Sequence, residues 1–144
     1  MKKSKCLFYF LFVLFLFPAC SSGPEIRVVD ETWPGGKEKT IKYFKEQGDK
    51  RILVREEKYY INGQKEQEGM YKNEERTGVW KYWYDTGVLW SEGEFLNGKS
   101  HGYRKVYHSN GKLYYEGNYT DDQPSGVWTF FDKEGRFIQK KIIE

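Results

Sequence analysis

Glycine recurs every 24 residues through most of this chain, and the strict period constrains the fold more than any other feature. Such a period is typical of a repeat architecture, in which one small supersecondary unit stacks on copies of itself. A chain of this kind builds a surface rather than a pocket, so we expect it to act through contact rather than catalysis. The glycines form three interleaved columns: Gly63, Gly87, Gly111 and Gly135; Gly69, Gly93 and Gly117; and Gly78, Gly102 and Gly126.

Each 24-residue unit has the composition of two strands and two turns. The runs that follow the third glycine column, such as 78–84, are rich in β-branched and aromatic residues, as strands are. A turn comes next; in one unit it contains Asn110-Gly111, a strong hairpin signal because both residues tolerate positive φ. A second strand follows, for example 88–95. No window shows helical periodicity, so the sequence predicts an all-β fold, an elongated antiparallel meander of repeated β-hairpins.

The pattern weakens at both ends of the repeat region. Gly48 and Gly63 are only 15 residues apart, so residues 38–61 are interpreted as a degenerate first hairpin that ends the stack. At the other end Lys141 stands where the period predicts a glycine, and nearby isoleucines suit a closing edge strand. We therefore predict a repeat domain over residues 38–144. Residues 20–37 are expected to be a tether and an irregular lead-in.

The amino terminus has the features of an export signal. Three lysines precede an apolar run, 7–17, whose 11 residues are too few to span a bilayer, which takes about 20. The segment 17–20, Phe-Pro-Ala-Cys, resembles a bacterial lipobox, in which the signal is cut before the cysteine and the cysteine is acylated. We predict a lipoprotein signal peptide over 1–19 and lipid such as palmitate on Cys20. The alternatives are ordinary cleavage near Cys20 and an uncleaved anchor.

Cysteine usage and charge exclude several functional classes. Cys6 would leave with the signal and Cys20 would carry lipid, so the mature chain would have no disulfide framework and no cysteine-based metal or redox site. Residues 1–19 contain three lysines and no acidic residue, so the remainder has 21 basic and 21 acidic residues and no net charge. Without a summed positive field, the sequence gives no reason to expect nucleic-acid binding.

The recurring motifs resemble a known family. The segments 92–102, Glu-Gly-Glu-Phe-Leu-Asn-Gly-Lys-Ser-His-Gly, and 107–113, Tyr-His-Ser-Asn-Gly-Lys-Leu, are similar to those of MORN-repeat-variant proteins, which include YwqK-type antitoxins of toxin–antitoxin systems. The resemblance covers residues 59–137 well and 38–58 weakly. It implies repeated β-hairpins in a single curved sheet, with turn and packing residues as the motif and no catalytic set.

Strand alternation divides the side chains between two faces. The face of Val79 and Trp83 repeats uniformly and is predicted to be the core. The opposite face varies between units, which is expected of a binding stripe and equally of relaxed packing. Candidate binding residues are Trp80, Tyr82, Arg104, Trp128 and Phe130.

No catalytic residue, metal site or cofactor is predicted. The two histidines, His101 and His108, have no recurring carboxylate at ligand spacing. Because an acid recurs in every unit, we expect it to serve the repeat as a cross-strand partner for lysine rather than as a catalytic group. These acids are Glu68, Glu92 and Glu116.

The sequence thus predicts a non-enzymatic lipoprotein, exported to the cell envelope and held at a membrane by lipid on Cys20. Its sheet would contact a protein or a glycan, and its edge strands could associate with one another. Ser21 after the cysteine favours the outer membrane, if the cell has one, by similarity to known sorting rules. The alternatives are an antitoxin or immunity protein that binds a toxin, and an adaptor that touches lipid headgroups.

Overall fold

A computed structural model describes residues 23–143 of the chain. The predicted signal peptide, 1–19, and the predicted lipid site, Cys20, lie outside the described residues. Within the described part there is no helix long and apolar enough to cross a membrane.

The described chain is one antiparallel sheet of ten strands in sequence order. Each strand pairs with its neighbours along the chain, and the first and last strands are the two edges of the sheet. This confirms the predicted all-β meander. The strands are β1 (Ile26–Thr32), β2 (Glu38–Gln47), β3 (Lys50–Tyr59), β4 (Lys65–Lys72), β5 (Glu75–Trp83), β6 (Leu89–Leu96), β7 (Lys99–Tyr107), β8 (Leu113–Thr120), β9 (Gln123–Phe131) and β10 (Phe137–Ile143).

The sheet begins earlier than the sequence predicted. Residues Ile26–Thr32, expected to be irregular, form β1 and pair with β2, so that expectation was wrong. A turn at 33–37 joins the two strands, with Gly36 at φ +83°. Gly36 precedes Gly63 by 27 residues rather than 24, which hid this turn from the periodic pattern.

The glycines of the first column lie in the turns that join the strands along one side of the sheet. In the turn 84–88 the N–H of Gly87 donates to the carbonyl of Tyr84, and the N–H of Tyr84 donates to that of Val88. Gly87 has φ +84°, a left-handed conformation that costs glycine little. The same pair of hydrogen bonds closes the turns at 33–37, 60–64, 108–112 and 132–136.

Side chains at the start of these turns join each unit to the next. The hydroxyl of Tyr60 donates to the carbonyl of Trp83 at 2.8 Å, and that of Tyr84 donates to the carbonyl of Tyr107 at 3.1 Å. His108 continues the series: its Nε2 lies 3.2 Å from the carbonyl of Phe131 and must carry the proton, because the carbonyl only accepts. We call this series the turn ladder.

The turn ladder closes at the last turn. Asp132 occupies the position of Tyr84 and His108, and its Oδ1 accepts hydrogen bonds from the N–H groups of Glu134 and Arg136 in its own turn. The Arg136 guanidinium donates to the same carboxylate at 2.8 Å. These contacts hold the pKa of Asp132 below its usual value. Asp132 therefore bonds within its turn, where the equivalent residues bond to a following unit.

The second glycine column leaves room for a large side chain from the adjoining strand. The indole of Trp80 lies over Gly69 and that of Trp128 lies over Gly117, so that a Cβ on either glycine would overlap the ring. In the middle unit the Arg104 side chain takes this position over Gly93. Register shifts lie at Gly69 and Gly117 and next to Gly93, and in each case the extra residues are on the adjoining strand.

Trp80 and Trp128 form the core on the face of the sheet that also carries the candidate binding residues. Trp80 is 0% exposed and Trp128 is 7% exposed. Val79 and Val127, on the face that was predicted to be the core, are 37% and 48% exposed. The predicted core face was therefore wrong: a ring that lies flat over glycine loses its contact with water, whereas the opposite side chains project from the sheet with no layer above them.

The face opposite the tryptophans carries a row of alternating charge. Lys81 pairs with Glu68 on one side and Glu92 on the other, and Lys105 pairs with Glu92 and Glu116. The expectation that the recurring acids are cross-strand partners of lysine is confirmed by this register. We call this surface the charged face.

A hydrogen-bonded carboxylate holds the first units together. Glu57 is 8% exposed and accepts hydrogen bonds from the hydroxyls of Tyr43 and Tyr59 at 2.9 and 2.8 Å. Arg55 and Lys65 pair with its other oxygen. Burial pushes the pKa of Glu57 up, but the two hydroxyls and Lys65 outweigh it, and the pKa ends below its usual value. Burial, together with Glu57, raises the pKa of Tyr59 to about 12.

The contact between glycine and tryptophan predicts that Gly117→Ala destabilises the sheet. The added methyl group displaces the Trp128 ring, so we expect the free energy of unfolding to fall by about 2 kcal/mol in urea denaturation. Gly23→Ala is the matched control because a Cβ there meets nothing within 4 Å. A Gly117→Ala variant as stable as the control contradicts this account of the second column.

The Glu57 cluster predicts a specific dependence of stability on pH. Because its folded pKa is depressed, the ionised Glu57 stabilises the fold above its unfolded pKa, about 4.5, and this contribution is lost as the pH falls through the folded pKa. Glu57→Gln should cost about 1–3 kcal/mol at pH 7 and flatten the acid limb of the stability curve. Glu46→Gln, an exposed acid, should leave that limb unchanged. An unaltered acid limb in Glu57→Gln contradicts the prediction.

Candidate functional site

All five candidate binding residues lie on one face of the sheet, but two of them cannot touch a partner. Trp80 and Trp128 are buried, so their assignment to a contact surface was wrong. The other three, Tyr82, Arg104 and Phe130, are partly exposed. We call this surface the aromatic face; it carries Trp80, Tyr82, Phe95, Arg104, Tyr115, Trp128 and Phe130.

The sequence interpretation missed two more exposed aromatic residues on this face. Trp90 is 45% exposed and its ring centroid lies 6.2 Å from that of Tyr82. Tyr114, 24 residues later, is 43% exposed and contacts Tyr115 at 5.2 Å. Simple alternation would turn both residues to the other face, but each lies at a register shift, where an extra residue changes the side on which a side chain points. Their 24-residue spacing was the signal that pattern reasoning left unused.

Ring contacts hold the exposed aromatic side chains in place. Trp90 also lies 6.2 Å from Tyr84, and Tyr114 lies 4.7 Å from His108. Beneath them the buried Trp80 meets Tyr71 edge-on at 5.3 Å, and Trp128 meets Tyr119 edge-on at 5.3 Å. Edge-to-face pairs of this kind add to the stability gained by burial. The side chains of the aromatic face are thus already ordered, so they would lose little conformational entropy when a partner binds.

Two arginines lie among the aromatic rings. The Arg76 guanidinium is 4.4 Å from the Trp80 ring centroid and its Nη1 donates to the Tyr82 hydroxyl at 3.2 Å. The Arg104 guanidinium is 5.7 Å from the Phe95 ring. Burial raises the pKa of Tyr82, and the positive charges of both arginines oppose that rise. Two positive charges therefore act on the Tyr82 ring, opposed by the carboxylate of Glu56.

A shallow groove of about 180 Å³ opens beside Arg104. Its walls combine three aromatic residues and one valine with one arginine and one serine: Tyr82, Trp90, Ser91, Arg104, Val106 and Tyr115. Within residues 23–143 no three His, Asp or Glu side chains cluster closely enough to hold a metal ion. What the groove and the surrounding rings offer chemically is stacking, apolar contact and hydrogen-bond donation to an anion.

His108 and the recurring glutamates serve the sheet. His108 bonds to the next unit through the turn ladder, and Tyr107 donates its hydroxyl to Glu92 at 3.0 Å. Burial and that carboxylate raise the pKa of Tyr107 to about 12. These polar groups are therefore engaged in structural hydrogen bonds.

Comparison with known proteins agrees with the repeat geometry. The family model described as the MORN repeat variant matches residues 76–97 and 100–121, each of which spans one strand pair and its turn. No curated protein and no solved structure gives a significant match. The two matched segments, which lie inside a sheet of hairpins, are thus similar to MORN repeats.

Proposed function

We propose that this chain is a non-enzymatic, membrane-anchored lipoprotein whose aromatic face binds a protein or glycan partner. The observation that carries the proposal is the set of partly exposed aromatic rings fixed on one face of an open single-layer sheet. Tyrosine, tryptophan and arginine are enriched at the energetic centres of binding surfaces. Aromatic rings held in fixed positions also suit stacking against sugars or apolar peptide surface.

The membrane anchor in this proposal is lipid on Cys20. Multiple acyl chains on one residue give stable attachment, whereas one chain is marginal. The distance from Cys20 to the start of β1 at Ile26 is six residue steps, or at most about 22 Å, so the sheet would stay close to the bilayer. We place the protein in an extracytoplasmic space of the envelope, at the outer membrane in a cell that has one.

A toxin is the second candidate partner, since the arginine and aromatic composition of the aromatic face suits a protein ligand. In that case the chain would act as an antitoxin or immunity protein. Co-expression with the product of the neighbouring gene separates the two functions. Rescue from a toxic neighbour supports the antitoxin, and the absence of any rescue counts against it.

The lipid anchor is tested by changing the acylated residue. Cys20→Ala should abolish metabolic labelling by a palmitate analogue and release the protein from the membrane fraction. Cys6→Ala is the matched control, because that cysteine lies inside the predicted signal peptide and should leave labelling intact. Persistent labelling of Cys20→Ala would rule out the assignment.

The contact surface is tested by truncating its most exposed rings. A Trp90→Ala/Tyr114→Ala variant should lose at least about tenfold of the partner recovered by pull-down from envelope extract, since hot-spot residues each contribute about 2 kcal/mol. Val79→Ala/Val127→Ala removes comparably exposed apolar side chains from the charged face and should retain the partner. Equal recovery by both variants counts against the aromatic face.

A further inference from the structure

Arg104 departs from the repeat at a position where the neighbouring units have a buried tryptophan. The equivalent residues, Trp80 and Trp128, are buried tryptophans that lie over Gly69 and Gly117. Arg104 occupies the same place over Gly93, where an added Cβ would come within 2.7 Å of its Nε. A residue that serves the repeat recurs in each unit, whereas Arg104 occurs once and replaces a core side chain with a charge. Arg104 fills the same space as the tryptophans, but it adds a positive charge that the neighbouring units do not have at this position.

The Arg104 guanidinium is poorly satisfied within the chain. Its only hydrogen bonds among the described residues are long ones, 3.4 Å to the Ser91 hydroxyl and 3.4 Å to the Ser100 hydroxyl. No carboxylate among residues 23–143 forms an ion pair with it. A guanidinium has five N–H donors, so most of the donors of Arg104 are left for an acceptor from outside the chain. Its cation–π contacts leave those donors unused.

Arg76 shares these features and lies beside the same ring. Its guanidinium is 5.6 Å from the Phe95 centroid, and that of Arg104 is 5.7 Å from it. Arg76 likewise forms no ion pair within the described part of the chain, although Arg55 and Arg136 each do. Two partly buried cations without carboxylates thus flank one phenyl ring on the aromatic face.

We propose that Arg76 and Arg104 form an anion-binding site that takes the carboxylates of an acidic segment of a partner protein. The inference rests on the aromatic face being a contact surface, as proposed above. Guanidinium groups bind carboxylates through paired N–H donors in a planar fork, and such pairs are stronger where water is partly excluded. Trp90 and Tyr115, which line the groove beside Arg104, supply the apolar contacts that an acidic peptide with aromatic or aliphatic side chains requires. Charge complementarity therefore selects an acidic polypeptide.

The test uses the full chain in neutral detergent and a peptide of alternating glutamate and tyrosine. This peptide should bind at least tenfold more tightly than its glutamine–tyrosine counterpart, and the difference should shrink at high salt, which screens the charges. Equal binding of the two peptides overturns the proposal. Tighter binding of a sulfated polysaccharide than of the acidic peptide overturns the assignment to a protein partner.

Arg104→Trp separates a binding role from a structural one, because it installs the residue that the neighbouring units use over glycine. We expect this variant to keep or raise the melting temperature. Its affinity for the acidic peptide should fall at least tenfold. Arg51→Trp, the same change at an exposed arginine outside the aromatic face, should leave affinity unchanged. If Arg104→Trp does not fold, Arg104→Met removes the charge without adding a ring and should show the same loss.

Recovery of the envelope partner distinguishes the two proposals. If Arg104→Trp retains that partner while Trp90→Ala/Tyr114→Ala loses it, the proposed anion site is overturned and the proposed contact surface is supported. If both variants retain it, the contact surface itself is overturned.

Discussion

The sheet depends on one contact, the large side chain that lies over a glycine of the adjoining strand. A single-layer sheet has no second layer to cover its side chains, so it must exclude water within one face. Gly69 and Gly117 allow this because the absence of a Cβ lets the rings of Trp80 and Trp128 lie flat against the backbone. Tyr71 and Tyr119 then close the ring edges from the side. The core is therefore built from repeated local contacts, and no long-range packing between distant strands is needed, as in other repeat proteins.

The arrangement of strands and turns was predictable because it follows from local chemistry that the period displays. The glycines at Gly87 and Gly111 mark left-handed turn positions, and the alternating residues between them mark strands. The first strand was missed because its turn at Gly36 falls off the 24-residue spacing. The core face was assigned to the wrong side because alternation alone gives two faces and does not rank them. Deciding between them requires knowing which side chain covers which glycine, and that is a property of register.

The candidate site was only partly accessible from sequence for a related reason. Variation between repeats selected Arg104, which is partly exposed, but it also selected Trp80 and Trp128, whose rings are buried by the glycine contact. Trp90 and Tyr114 escaped notice because bulges turn them toward the aromatic face against simple alternation. Departure from the repeat and exposure on the surface are independent properties. The sequence displays the first, while the second depends on side-chain packing.

The turn ladder has a consequence for how the turns along this side of the sheet are held. At the internal junctions of the described sheet a side-chain donor meets a carbonyl of the following unit: the indole N–H of Trp33, the hydroxyls of Tyr60 and Tyr84, and the imidazole N–H of His108. At the last described turn Asp132 offers only acceptors, and its hydrogen bonds lie within its own turn. The earlier turns are therefore anchored to a neighbouring unit, whereas the last described turn is held by its own residues.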